Sequence, residues 1–169
     1  MQMLTQKWSI WLRDIAIGAS LIALVFYWQS ADMVETDGSI AIANTRLPAL
    51  SGETDFLFTQ GKPTLVYFFA PWCQVCHLSI GNLDYLDESN VNIVRIALDY
   101  ESVSSVTQFA QQHNIRSEIF LGNERVKQTF KVTAYPTYYL LDSEQNIIAG
   151  SKGYSTAVGL KLREYFLSQ

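Results

Sequence analysis

Apolar residues follow two rhythms along this chain, and the rhythms alternate. Residues 62–70, KPTLVYFFA, are a continuous apolar run rich in β-branched and aromatic side chains, as in a strand buried on both faces. Pro63 stands near its start, where a missing N–H is tolerated. From Cys73 to about Asp87 the period changes. Cys76, Ile80, Leu83 and Leu86 recur at helical spacing. VNIVRIAL (91–98) returns to strand character. SVSSVTQFAQQH (102–113) predicts a helix with an exposed polar face, EIFLG a short strand or loop, and NERVKQTFKV a helix carrying Val126 and Phe130. TYYLLD (137–142) and IIAG, joined by the turn SEQN, predict a hairpin whose Tyr138 and Tyr139 point one in and one out. STAVGLKLREYFL predicts a closing helix with Val158, Leu162, Tyr165 and Phe166 on one side. Strands alternating with helices, then a hairpin and a last helix, indicate an α/β fold: a central mixed sheet flanked by helices.

Residues 8–28, WSIWLRDIAIGASLIALVFYW, fit neither rhythm. Counted from Ile10 to Trp28 the apolar run has nineteen residues, near the roughly 20 that span a bilayer core. Arg13 and Asp14 lie close to one end, where Arg13 can snorkel to the interface. Trp8 and Trp11 at one end, and Tyr27 and Trp28 at the other, fit aromatic belts. Lys7 and Arg13 lie on the N-terminal side. Asp32, Glu35 and Asp37 follow, with no Lys or Arg until Arg46. The positive-inside rule then predicts residues 1–31 as a cytoplasmic tip and transmembrane anchor, residues 32–44 as a linker, and residues 45–169 as a domain outside. Gln29-Ser30-Ala31 matches a signal-cleavage site poorly. A buried core helix would not explain the charge asymmetry.

The chain's 169 residues leave room for one ordinary domain and an appendage. Beyond Ala31, ten Lys/Arg face fifteen Asp/Glu, so no nucleic-acid partner is expected. Two cysteines are too few for a disulfide scaffold. With His77 and His113 as the only histidines, they are also too few for a closed structural zinc site.

Both cysteines stand in APWCQVCHL, residues 70–78. As C-x-x-C this is a redox dithiol; as C-x-x-C-H it is a haem attachment site; the thiols could also hold a soft ion such as Cu(I), or form a static disulfide. The motif follows a buried strand, and no pattern places a second axial ligand among His113, Met1, Met3 and Met33, which weighs against haem. Cys73 falls where strand turns into helix. Free first-turn N–H groups and the helix dipole favour a thiolate there, with a pKa below the usual value of about 8.5. Cys76, one turn on, is within disulfide reach and further from water. Cys73 is therefore expected to attack and Cys76 to resolve. No cofactor and no metal is required, since the dithiol carries both electrons. His77 is expected to face solvent beside the site, with a proton shuttle as the alternative. Trp72, Phe68 and Phe69 could form a binding face, but Phe68 or Phe69 is expected in the core instead.

Taken together, GKPTLVYFFAPWCQVC and, some sixty residues later, TAYPTYYLLD resemble the thioredoxin superfamily over Thr45 to Gln169. The resemblance implies a thioredoxin-like fold, a tryptophan (Trp72) before the first cysteine, and Pro136 as a cis-proline. It also implies that the backbone of Tyr135 pairs with an extended substrate segment. With the anchor, the chain is most similar to the membrane-tethered, periplasm-facing branch of TlpA and ResA proteins. Its ending, GYSTAVGLKLREYF, resembles the ScsD-like group. That likeness implies a single-pass protein of the bacterial inner membrane that reduces oxidised periplasmic proteins, with electrons from an integral-membrane thiol reductase. A disulfide-forming oxidant and a copper-handling C-x-x-C binding module are the alternatives. The departures bear on the proton. Tyr67 stands where thioredoxins keep a buried aspartate. His77, Leu78 and Ser79 stand where a glutamate often follows the motif, and Arg95 replaces a lysine. Tyr67, His77 and Arg95 are thus the residues to consider for a proton path to Cys76.

Overall fold

The computed structural model of the protein describes residues 11, 13–21, 24 and 32–167. The chain divides into two units, Met1–Asp32 and Met33–Gln169. In the first, residues 13–21 are helical (α1) and expose Ile15, Ile17 and Leu21. Much of the expected span lies outside the described residues. Among those described, no helix is long and apolar enough to cross a membrane.

The second unit is built on a five-stranded mixed sheet with the order β5-β4-β3-β6-β7. The central strand β3 (Thr64–Phe69) is the run TLVYFF, buried at every position. It pairs in parallel with β4 (Asn92–Ala97) and antiparallel with β6 (Thr137–Leu141). β5 (Ile119–Leu121) and β7 (Ile147–Lys152) complete the sheet. A small antiparallel pair, β1 (Arg46–Pro48) and β2 (Thr54–Phe56), precedes it.

Alternation along β3 divides the core in two. Val66 and Phe68 face one layer, with Val126 and Phe130 from and just after α4 (Glu124–Thr129). Leu65, Tyr67 and Phe69 face the other, with Cys76, Val106, Phe109 and Leu160 from α2 (Gln74–Ser79), α3 (Val103–Gln112) and α5 (Ala157–Leu167). Both sheet faces are covered, so Tyr138 and Tyr139 are both buried, and the expected exposed partner does not exist.

Three other expectations change. The helix after Cys73 stops at Ser79 and continues as a 3₁₀ segment, Ile80–Tyr85. Gly81 and Asn82 are weak helix formers, and the Ser79 hydroxyl donates to the Val75 carbonyl at 2.9 Å. On α5, Val158, Leu162 and Tyr165 are exposed, and Phe166 lies outside the described side chains. Among the described side chains of this helix, the buried ones are Leu160 and Glu164. Glu164 is held inside because its Oε1 accepts from the Asp87 N–H at 3.1 Å and from Asn90 at 3.4 Å, and Lys161 pairs with its Oε2. Finally, the stretch expected as a linker packs on the domain. Met33, Val34 and Ile42 are buried, and main-chain bonds join Gly38 to Ile147, Ile40 to Ile147 and Ile42 to Gln145. At the opposite side, Leu50 N–H donates to the Ile119 carbonyl.

Candidate active site

β3 ends at Phe69, and a turn through Ala70, Pro71 and Trp72 closes when the Cys73 N–H donates to the Ala70 carbonyl at 3.0 Å. Cys73 keeps an extended backbone as the N-cap of α2. Its Sγ accepts from the Cys76 N–H at 3.1 Å. The two cysteines form a disulfide with Cα atoms 5.2 Å apart. Cys73 retains 6% exposure and Cys76 none, so only the first sulfur lies near solvent. In the reduced form the same N–H would stabilise a thiolate on Cys73.

The proline loop reaches the same end of the sheet by register. Phe68 lies opposite Thr137, which places Pro136 beside the end of β3. The Tyr135–Pro136 peptide is cis. The Trp72 and Tyr135 rings meet edge to face at 5.7 Å.

Asp99, two residues past β4, ties these walls together. Its carbonyl accepts from Trp72 Nε1 at 2.8 Å, and its Oδ2 accepts from the Tyr135 hydroxyl at 2.9 Å and from Lys127 Nζ at 2.6 Å. Asp99 adopts a left-handed backbone, φ 47°, which aspartate tolerates better than bulkier side chains. Burial would raise its pKa, but the bonds from Lys127 and Tyr135 hold it below the ordinary carboxylate value. Burial and the Asp99 carboxylate together push the Tyr135 phenol well up, so it stays neutral and donating.

Behind Cys76 the surroundings differ. Tyr67 is fully buried, edge-on to Tyr138 at 4.9 Å, with its hydroxyl 3.1 Å from Ser79 Oγ. Because the Ser79 proton goes to the Val75 carbonyl, Tyr67 is the donor to Ser79. Burial drives its pKa far up despite that bond. Tyr67 is therefore no base. Arg95, its register partner on β4, is 2% exposed and reaches Asp84 at 3.4 Å through one nitrogen. Its Nε and Nη1 are buried with no hydrogen-bond partner among the described residues. Burial lowers its pKa, opposed by Asp84.

His77 does not simply face solvent. It is half-buried, with Nε2 3.0 Å from the Pro71 carbonyl and Nδ1 2.7 Å from His113 Nε2. Phe109 packs on both imidazoles at 4.7 Å. The structure thus gathers Trp72, Cys73, Tyr135 and Pro136 at one end of the sheet, places Tyr67 and Arg95 behind Cys76, and gives both nitrogens of His77 other partners.

Sequence reasoning missed Asp99, Lys127, Ser79 and His113 as members of this cluster. One signal could have found Asp99: in open α/β sheets, residues just past the carboxyl ends of parallel strands converge on the site. His113, at the far end of α3, carries no comparable local signal.

A mixed sheet ending in a strand–turn–helix disulfide opposite a cis-proline defines a thioredoxin-like fold with a C-x-x-C site. Comparison with known proteins agrees. The AhpC/TSA family model matches residues 45–149, and the chain belongs to that family. It is 29% identical over 104 residues to the thioredoxin-like protein YneN of Bacillus subtilis, covering 58% of this chain and 61% of the relative. It is 28% identical over 112 residues to the thiol-disulfide oxidoreductase ResA of Bacillus thuringiensis, covering 63% of this chain and 62% of that one. The matches therefore span about three-fifths of these relatives. The crystal structure of StoA from Bacillus subtilis superposes with a TM-score of 0.64 at 21% identity, over 73% of this chain and 98% of that one, which shows the shared fold.

Proposed function

We propose that the protein is a thiol–disulfide oxidoreductase that uses Cys73 as nucleophile and Cys76 as resolving thiol. The observation that carries this reading is the asymmetry of the disulfide. One sulfur is near solvent and hydrogen-bonded at a helix start; the other is sealed in the core. In the forward half-reaction, the Cys73 thiolate attacks a substrate disulfide and forms a mixed disulfide. Cys76 then attacks Cys73 Sγ and releases the reduced substrate. Trp72 and Tyr135 form the walls beside the sulfur, and the backbone of Tyr135 next to Pro136 offers pairing to an extended substrate segment. The direction we favour is reduction of oxidised periplasmic proteins. An integral-membrane thiol reductase would supply the electrons, and the N-terminal apolar run would anchor the domain on the outer side of a bacterial inner membrane. The support is the run's charge asymmetry and the likeness to ResA.

The test is equilibration with glutathione buffers, reading the oxidised fraction by thiol alkylation, beside substrate trapping. A reductase is expected near the thioredoxin potential of about −270 mV, and an oxidant near about −120 mV. Cys76→Ser should accumulate mixed disulfides and Cys73→Ser should not; equal trapping by both would remove the assigned roles.

A further inference from the structure

The two histidines of this chain stand 36 positions apart, yet their rings meet beside the disulfide. Their protonation follows from their partners. The Pro71 carbonyl can only accept, so His77 Nε2 carries a hydrogen. The neutral His77 then presents Nδ1 as an acceptor, and His113 Nε2 must donate to it. Nδ1 of His113 remains the basic nitrogen of the pair.

A proton arriving there need break nothing. If the bridging hydrogen crosses the 2.7 Å bond to His77 Nδ1, the positive charge moves onto His77. Both His77 N–H groups stay bonded, one to the Pro71 carbonyl and the other to His113 Nε2. His77 is four residues beyond Cys73, and its main-chain N–H bonds the Cys73 carbonyl at 3.2 Å. Residues at that spacing share a helix face, with Cβ atoms about 5–6 Å apart. A cation on His77 would therefore stand one turn from the Cys73 sulfur.

We infer that His77 and His113 form a two-member proton relay that charges when the disulfide is reduced, with His113 receiving the proton and His77 holding the charge that stabilises the Cys73 thiolate. The inference rests on the oxidoreductase reading above. Reduction by a protein dithiol delivers two electrons and two protons. The Cys73–Cys76 bond breaks, Cys76 keeps one proton as a thiol, and Cys73 is left as a thiolate. The second proton rests on the histidine pair, while the partner's two S–H groups become its own disulfide, so atoms and charge balance. Glu101 lines the same groove as His77 and Trp72 and is the other ionisable group there. From α3 the groove is lined by the uncharged Ser105, Gln108, Phe109 and Gln112, and on α2 and its N-cap the titratable neighbours of His77 are Cys73 and Cys76. In the oxidised protein no thiolate is present, and burial together with His77 lowers the pKa of His113.

The test is NMR titration of the imidazole resonances of the full chain in both redox states, with Cys73 alkylation followed across the same pH range. His113 is expected to titrate higher in the reduced protein, because an opposite charge near the pair favours its protonated form. His113→Gln can still donate to His77 Nδ1 but takes up no proton. It should keep the fold and slow Cys73 alkylation near pH 6 by about tenfold. Identical His113 midpoints in the two states, or full alkylation by His113→Gln, would overturn the relay while leaving disulfide exchange intact. If the cysteines do not exchange with a dithiol at all, the oxidoreductase reading fails, and the relay with it.

Discussion

Behind Cys76 the protein is a packed aromatic interior where polar atoms are few and short of partners. Around Cys73 it is a rim of hydrogen bonds drawn from several loops. Tyr67 gives its one proton to Ser79, and among the described residues the Arg95 guanidinium makes one hydrogen bond, to Asp84. Asp99, by contrast, holds Trp72, Tyr135 and Lys127 together. The difference teaches where each kind of residue acts. Interior groups set stability, because burying area is favourable and burying an unpaired charge is costly. Rim groups set geometry, because their bonds stay in exchange with water.

The sharpest way to break this division is to truncate one aromatic from each side. Tyr67→Ala, at a fully buried ring, should cost about 3–5 kcal/mol in urea unfolding. Trp72→Ala, at a ring 58% exposed, should cost less than about 1 kcal/mol while slowing disulfide exchange. Equal losses would make the rim a structural element.

The next test is Arg95→Met, which replaces a buried, poorly partnered guanidinium with an apolar chain of similar length. It should raise unfolding stability by about 1–4 kcal/mol. A marked loss would mean that the Asp84 contact outweighs desolvation.

Tyr67→Asp then sharpens the interior half of the comparison. The new carboxylate would stand on the strand next to Arg95, in direct register with it. Its destabilisation should be smaller with Arg95 present than in the Arg95→Met background, by a coupling of about 0.5–3 kcal/mol in a double-mutant cycle. It should also speed resolution by Cys76 at neutral pH, read by stopped flow, because Tyr67 itself offers no base.

The smallest effect belongs to the rim. Asp99 has a lowered folded-state pKa, so its contribution is fully present above the unfolded value of about 3.9 and is lost as pH falls through the folded value. Asp99→Asn should therefore cost about 0.2–1 kcal/mol at pH 6, and the gap to wild type should close as the buffer is taken toward pH 2.

Much of this architecture could be read from the chain because the deciding signals are local. The run TLVYFF, the cysteine spacing and the hairpin before α5 each sit within a few residues, and each forms where expected. Residues whose roles depend on distant partners could not be read that way. Glu164 scores as a surface residue until the Asp87 and Asn90 groups that hold it inside are known, and its burial turns α5 away from the expected apolar stripe. His77 reads as solvent-facing until His113 is brought over it. The stretch 33–44 reads as a linker because its composition is mixed; its anchoring is made by main-chain bonds, which composition does not register.

Those main-chain bonds have a consequence for association. A sheet with open flanks invites other chains to extend it, the usual route to edge-to-edge aggregation. Here residues 38–42 bond to Gln145, Asn146 and Ile147, at the start of β7, and Ala49 and Leu50 pair with Phe120 and Ile119 on the outer side of β5. The leading segment therefore guards part of each flank, the start of β7 and the short β5. A second chain seeking an edge strand would meet both of these stretches already paired.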